Sequence, residues 1–554
     1  MKQLRKRLAA LGMAAALLVS GSVLGVSAAP NDNSGEKGLP ETANLIGVDQ
    51  SYASGGITPT VFKDSYQNPR GIRYRSRAVI PSSFDLRAKG NSTTVKNQDP
   101  WGSCWAFGAL SSLESSQLTN ASGNGAEAQP DYSELQLAWF AYEPQTVESI
   151  GVSAAVSNQA GEGDSYSGPD RLDKGGNMPQ AAALLSTWQG AATETEIPYQ
   201  NEQGNTGKEG AWGVAAANRN LSAIHLQNAD FMASPAAFSK YDDNGLPSAD
   251  AVYTLDQDAV TAIKTALMNH GAVAFAYYAD QSLPGGDQSG DYFNYNNYCQ
   301  YVDILDISTI QNHGVSIVGW DDDYPSTNFK AGKQPEGNGA WLVKNSWGSG
   351  WGLDGYFWLS YYDRTIDQVT SFQGESVDTY DNNYQYDYLG LASNMGFTES
   401  DQEAGIANVF TAKGDEEIQA VSAVTLVPDS TVSVKIYKVP AGATEPVPAD
   451  AELIAQKTVP IAYSGYHTIK LDTPAAIGAG EKFSVVQVIK GGDNQWYTPV
   501  EISSNNSSQT AVCNRGESYR IEGGVPQDMA DYSSSGVSFG NAMIKAFTND
   551  AEAE

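Results

Sequence analysis

Cysteine is scarce in this chain. Its 554 residues include three, Cys104, Cys299 and Cys513, so a disulfide framework is excluded. The four histidines, His225, His270, His313 and His467, form no cluster with them that has zinc-ligand spacing. Basic residues are also few, 33 against 64 acidic, for a formal net charge of -31. That balance argues against nucleic acid or an anionic membrane as a partner. No phosphate-binding loop occurs. Past the N-terminal segment no apolar run is long enough to span a bilayer. What is present in quantity is a globular composition, 41% hydrophobic with 29 tyrosines, and a length that calls for two or more domains.

Residues 1–29 read as a secretory signal. Lys2, Arg5, Lys6 and Arg7 form a charged start, residues 8–19 a small and apolar middle, and Ser27-Ala28-Ala29 a small-residue cleavage site. The alternative is a retained N-terminal anchor. The expectation is an exported protein with no transmembrane anchor, at most loosely associated with a cell surface.

Cys104 stands in the run Gln98-Asp99-Pro100-Trp101-Gly102-Ser103-Cys104-Trp105-Ala106-Phe107, and the residues after it have apolar positions at helical spacing. A thiol at a helix N-terminus is favoured as the anion by the helix dipole. Far downstream lie Asn312-His313-Gly314, ahead of an apolar strand, and Lys344-Asn345-Ser346-Trp347-Gly348. Cysteine, histidine and asparagine in that order suit thiol acyl transfer. The thiolate is the nucleophile, His313 the base and later the acid, and Asn345 the group that orients the imidazole. Gln98 and the Cys104 backbone N–H are candidate donors to a developing oxyanion. His270 and His467 read as structural.

These motifs resemble those of the papain-like cysteine peptidases, over about residues 80 to 362. Residue by residue, the resemblance implies Cys104 as nucleophile, His313 as base, Asn345 as orienting residue and Gln98 as oxyanion glutamine. It implies that Trp347 shields the Asn–His contact at the substrate cleft. Gly175-Gly176-Asn177 resembles the double glycine that lines the family's cleft and binds substrate backbone. Asp131-Tyr132-Ser133-Glu134 resembles its second helix start. A disulfide common in the family is absent, its two places being held by Trp101 and Asp173. The polar stretch 142–172 is longer than in compact members. Ile80-Pro81-Ser82-Ser83-Phe84 resembles the start of a mature papain-like domain, which makes 30–79 a propeptide. A flexible spacer is the alternative. Its basic cluster, Arg70, Arg73, Arg75 and Arg77, precedes the expected cleavage point.

The residue pattern predicts helices over 104–118, 132–141 and 178–189, and strands over 272–278, 314–320, 340–344 and 355–361. From about 376 short strands recur, over 431–437, 466–471, 483–489 and 541–547, in the manner of a β-sandwich. This region resembles the lectin-like domain that follows papain-like peptidases in clostridial surface proteins. The resemblance implies a glycan or cell-envelope partner and, in some relatives, a structural calcium. No metal ligand is assigned. Asp321-Asp322-Asp323 and the 381–387 region read as solvated acidic turns.

The expected fold class is α+β: a papain-like two-lobe catalytic domain, one lobe helical and one β, followed by a C-terminal lectin-like β-sandwich. The expected order is signal 1–29, propeptide 30–79, peptidase domain 80–375, sandwich 376–549 and tail 550–554. The leading function is a secreted cysteine endopeptidase that acts on protein or peptide substrates and requires no cofactor. The alternatives are a cell-wall peptide amidase or transpeptidase, and a glycan-binding adhesin with a degenerate peptidase domain.

Overall fold

The computed structural model describes residues 44–46, 79–121, 129–145, 163–164, 169–199, 214–241, 246–282, 286–306, 308–389, 394–399, 403–504, 509–532 and 537–551. The signal segment, most of the expected propeptide with its arginine cluster, and most of 142–172 lie outside them.

The three helices expected in the first lobe are present as Cys104–Ala121, Glu134–Phe140 and Met178–Ser186. The second begins where Ser133 accepts a hydrogen bond from the Gln136 N–H, and the third where Asn177 accepts one from Gln180. The third stops at Ser186, three residues before the expected 189. Trp188 there takes a left-handed backbone, φ +65, which ends a right-handed helix. A fourth helix, Gln257–His270, was not expected among the strands of the second half. Asp256 caps it, accepting from the Asp258 and Ala259 N–H groups.

The strands of the β lobe fall where expected, at Val273–Tyr277, His313–Asp321, Ala340–Lys344 and Tyr356–Ser360. All four are almost wholly buried, which explains their continuous apolar runs. Among the described residues the sheet they belong to has thirteen strands, and it does not stop at the lobe. Val273–Tyr277 pairs with Asp367–Glu375, which pairs with His225–Met232. That strand then pairs with Ser464–Ile477, deep in the C-terminal region. Glu416–Thr425 and Ala546–Asp550 follow.

A second sheet, with Ala404–Thr411, Ser430–Val439, Lys482–Lys490 and Trp496–Ser504, completes the sandwich. Val421 and Val424 share one buried cluster with Phe483, Val485 and Ile489. The same cluster extends to Trp105 and Leu110 of the helix Cys104–Ala121. The sheet and this core therefore both cross the expected boundary at 375. Two further pairings reach the sandwich from the N-terminal side, Asn44–Ile46 on Asn394–Glu399 and Gly163–Asp164 on Gln509–Thr510.

Two expectations need correction. The run 541–547 is not one strand. Val537–Ala542 and Ala546–Asp550 lie in different sheets, and the chain crosses between them where Asn408 Nδ2 donates to the carbonyls of Ala542 and Ile544. Asp387 is not a solvated turn residue. It is 3% exposed and pairs with Lys545 at 2.8 Å, as a buried carboxylate must.

Candidate active site

Cys104 is the first residue of the helix Cys104–Ala121. The helix can lie directly against the strand His313–Asp321 because residue 108 is glycine. A Cβ there would come within 3.1 Å of the Val315 carbonyl oxygen. Ser111 and Ser316 hydroxyls meet across the same contact at 2.8 Å. This close approach brings the two lobes' chemistry together. The Gly314 N–H donates to Cys104 Sγ at 3.3 Å.

His313 opens the strand His313–Asp321 and Asn345 directly follows its neighbour Ala340–Lys344, and His313 Nε2 contacts Asn345 Oδ1 at 2.8 Å. That contact leaves Nδ1 as the ring nitrogen free to serve the thiol. Asn345 Oδ1 also accepts from the Ser346 N–H at 2.8 Å, which fixes the amide. Trp347 stacks on the imidazole, centroids 4.9 Å apart at 30°. It thus covers the His–Asn pair. The four expected catalytic residues converge in one place: Gln98 N donates to the Ser346 carbonyl, and Ser346 Oγ donates to Gln98 Oε1 at 2.7 Å. Gln98 Nε2 donates to the Trp101 carbonyl at 3.0 Å, and an amide NH₂ has a second N–H to offer.

The double glycine is needed where it stands. Gly175 has φ +79, and its carbonyl accepts from the Tyr142 hydroxyl at 2.7 Å. A Cβ on Gly176 would lie 2.3 Å from the Trp105 ring, beside the nucleophile. At the place of the missing disulfide, Asp173 Oδ1 accepts from the Gly102 N–H at 3.0 Å. A hydrogen bond thus ties together the two loops that a disulfide commonly links in the family. All three cysteines are free thiols.

Burial governs the protonation of the site. Cys104 is 1% exposed and His313 4%. Desolvation pushes the thiol up to about 12, against the opposing pull of the Gly314, Trp105 and Cys104 N–H groups. Desolvation lowers the imidazole to about 4, with the Asn345 contact acting the other way. Burial thus opposes the thiolate that the sequence pattern predicts, while the Gly314, Trp105 and Cys104 N–H groups favour it.

Sequence reasoning missed a buried charge cluster directly behind the site. Lys96 Nζ contacts Glu114, Asp131 and Glu134 at 2.9, 2.7 and 2.8 Å. Thr93 Oγ1 donates to Glu114 Oε2 and accepts from Lys344 Nζ, and Lys344 immediately precedes Asn345. Burial raises the Glu134 carboxyl above the usual carboxylate range, against the pull of Lys96, and lowers Lys344. A glutamate in the middle of the apolar helix, ten residues after Cys104, was the available clue. Tyr199 was also missed. Its hydroxyl bonds both Ser103 Oγ and the Gln98 carbonyl at 2.7 Å, bracing the loop that carries the expected oxyanion donors.

A family model of the papain family cysteine proteases matches residues 80–138 and 171–372, and one of a lectin-like domain matches residues 383–548. The interval between the two papain segments coincides with the long 142–172 stretch. The chain is 28% identical over 280 residues to a probable cysteine protease, RD19C, of Arabidopsis thaliana, covering 50% of this chain and 56% of that one. It is 24% identical over 307 residues to vignain of Phaseolus vulgaris, covering 55% and 62%. The chain thus spans a little over half the length of these curated relatives.

Among solved structures, it resembles the cysteine protease and lectin-like domains of Cwp84, a surface layer associated protein of Clostridium difficile. The TM-score is 0.67 at 22% identity, covering 94% of this chain and 100% of that one. A clostridial Cwp84 structure after propeptide cleavage gives 0.63 at 24% identity, covering 85% and 100%. These likenesses are of fold. Together with the matched segments, they make residues 80–138 and 171–372 a papain-family cysteine protease domain, with a lectin-like domain at 383–548.

Proposed function

We propose that this protein is an exported cysteine endopeptidase that cleaves peptide bonds through a Cys104 acyl-enzyme, and that its C-terminal domain binds glycans of a cell envelope. The observation that carries the first part is the convergence of Cys104, His313 and Asn345. Gly314 N lies 3.3 Å from the thiol and Asn345 Oδ1 lies 2.8 Å from the imidazole.

The Sγ proton passes to His313 Nδ1, giving a thiolate–imidazolium pair whose mutual attraction offsets the desolvation of each charge. Sγ then bonds to the carbonyl carbon, and the oxyanion accepts from Gln98 Nε2 and the Cys104 N–H. His313 returns the proton to the leaving nitrogen as the C–N bond breaks. Water, deprotonated by His313, releases the acid and restores the thiol. No step calls for a cofactor.

Export rests on the character of residues 1–29, and activation by removal of residues 30–79 rests on the mature-like start at Ile80. Among the described residues no group of three His, Cys, Asp or Glu side chains gathers that could hold a metal ion, so no calcium ligand is assigned. The glycan role rests on the lectin-like match and on the Cwp84 likeness. A thiol amidase or transpeptidase acting on wall peptides would use the same residues.

The deciding experiment labels the secreted protein with an epoxide thiol inhibitor and then compares casein with peptidoglycan as substrates. Stoichiometric labelling of Cys104 and turnover of casein are expected. Labelling with turnover of peptidoglycan alone would replace the endopeptidase reading by the amidase one. Absence of labelling in protein lacking residues 30–79 would leave only the adhesin.

A further inference from the structure

Gln98 and Cys104, whose N–H groups are the expected oxyanion donors, stand on one loop with five residues between them. Two donors stabilise an oxyanion fully only when both aim at the same point, so the spacing of the loop's ends matters to the reaction. One side chain from outside the loop joins those ends. Tyr199 Oη lies 2.7 Å from the Gln98 carbonyl oxygen and 2.7 Å from Oγ of Ser103, the residue before the thiol. A carbonyl can only accept, so the phenol donates to Gln98 and Ser103 donates to the phenol. The chain of hydrogen bonds from Ser103 through Tyr199 to Gln98 therefore has one direction and spans the loop.

The brace is itself held from behind. Ser133 Oγ, at the start of the helix Glu134–Phe140, donates to the Ile197 carbonyl at 2.6 Å, and a Glu194 carboxylate oxygen accepts from the Tyr199 N–H at 2.7 Å. The phenol ring meets Phe107 of the helix Cys104–Ala121 edge to face, centroids 5.1 Å apart. Phenylalanine could make that ring contact equally well. Only the hydroxyl reaches the two ends of the loop. Tyr199 is 5% exposed and Ser103 0%, so removing the phenolic oxygen takes from a buried hydroxyl the acceptor it has here, a loss the loop relieves by moving.

We propose that Tyr199 is a positioning residue: its hydroxyl fixes the separation of Gln98 Nε2 from the Cys104 N–H, and with it the fit of the oxyanion site. The proposal rests on the Cys104 acyl-enzyme reading above. Its kinetic signature is specific. An interaction that matters only in the transition state lowers kcat and kcat/KM together and leaves KM alone. The thiol's reactivity, by contrast, is served by His313 and the Gly314 N–H, which lie on another element. A reaction of Sγ that builds no oxyanion is then insensitive to Tyr199. Alkylation by iodoacetamide is such a reaction, because Sγ bonds to the methylene carbon as iodide leaves.

Tyr199→Phe in the full-length protein tests this, with rates expressed per titrated thiol and Cys104 alkylation followed by peptide mapping. The kcat for a peptide ester should fall about tenfold, with KM and the iodoacetamide rate each within about twofold of wild type. In a Gln98→Ala background the same change should cost less than about threefold, because one of the two donors it aligns is gone. Ser103→Ala breaks the chain from its other end and should reproduce the kcat loss, so the test survives a folding defect in Tyr199→Phe. A kcat within about threefold of wild type in Tyr199→Phe, or in Ser103→Ala where the first does not fold, overturns the proposal. Hydrolysis and alkylation that fall together make Tyr199 a general support of the helix end and overturn it too, as does an undiminished loss on top of Gln98→Ala. A wild-type protein that is alkylated at Cys104 but hydrolyses no ester overturns the acyl-enzyme reading and this proposal with it.

Discussion

At the candidate catalytic centre the contacts are made by side chains: His313 meets Asn345, Ser346 meets Gln98, and the Cys104 thiol accepts from the Gly314 N–H. At the seam between the two domains the contact is made by backbone. Residues 464–467 pair with residues 228–231, and Gly465, with φ +122, lies so close that a Cβ would stand 2.0 Å from the Ala229 carbonyl oxygen. The first region concentrates its function in atoms that can be removed without disturbing a strand. The second spreads its function over a sheet, where removing one side chain changes little and removing the partner strand uncovers an edge. Changes at the centre should therefore alter turnover and leave unfolding alone, and changes at the seam should do the reverse.

The largest separation is expected for Cys104→Ala. Hydrolysis of a peptide ester should fall by about 10⁴ or more, the scale seen when a nucleophile is deleted from a triad, with the melting temperature little changed. Hydrolysis that persists near the wild-type rate would sink the mechanism. Gln98→Ala should cost about 10²–10³ in kcat, and an effect below about threefold would remove it from the oxyanion site. Asp173→Ala should slow turnover about tenfold, by freeing the Gly102 N–H that Asp173 holds, since a bond to a charged acceptor contributes about 1.5–3 kcal/mol. Asp173→Asn, which keeps an oxygen there, should recover most of that loss. If the two variants behave alike, Asp173 does not position the nucleophile loop.

The contrast also separates what the sequence reveals from what it hides. Cys104, His313 and Asn345 were legible because each sits in a short stretch whose neighbours are themselves demanded by the site. Gly314 reaches the thiol, Ser346 fixes the Asn345 amide, and Trp347 covers the imidazole. The buried strands Ala340–Lys344 and Tyr356–Ser360 were legible from their apolar runs. The strand His225–Met232 was not. Its residues His225, Gln227, Asn228 and Asp230 are polar. They are buried or half-buried only because strands from 367–375 and 464–477 flank it on both sides. Asn228, for example, accepts from the Thr468 N–H and donates to Gln373. No local pattern announces a partner more than two hundred residues away. For the same reason the charge cluster of Lys96, Glu114, Glu134 and Lys344 was invisible one residue at a time.

Cutting the chain after residue 375 strikes the seam and spares the centre. Strand 225–232 would lose the partner it has in 464–467 and become a sheet edge, and the buried cluster that joins Trp105 to Val421 would open. The fragment should show a lower melting temperature and a lower soluble yield than the full chain. Its ester hydrolysis per thiol titrated by the epoxide label should stay within about threefold, because domains joined by such an interface can fold separately. If hydrolysis per titrated thiol collapses as well, the two domains form one folding unit.

The smallest effect belongs to a single seam residue, and it is distinguished by its pH dependence. Asp230 accepts from Gln373 Nε2 at 2.9 Å and faces His467 Nδ1 at 3.6 Å. Desolvation raises its carboxyl to about 7 and lowers His467 to about 4. An unfolded aspartate titrates near about 3.9, so between about pH 4 and 7 the folded state holds the extra proton. This group's contribution is then fully present below about pH 4 and is lost as pH rises through about 7. His467 acts oppositely, adding stability as pH rises from about 4 to about 6.5, so the comparison is read at pH 8, where its ring is neutral in the folded and the unfolded chain. Asp230→Asn removes only the carboxyl's term while leaving an oxygen for Gln373. The variant should melt with the wild type at pH 4 and about 2 °C or more above it at pH 8, with ester hydrolysis unaltered at both. A variant less stable than wild type at pH 8 would mean that the charged carboxylate holds the seam through His467, and the assignment of a buried neutral acid at this junction would fall.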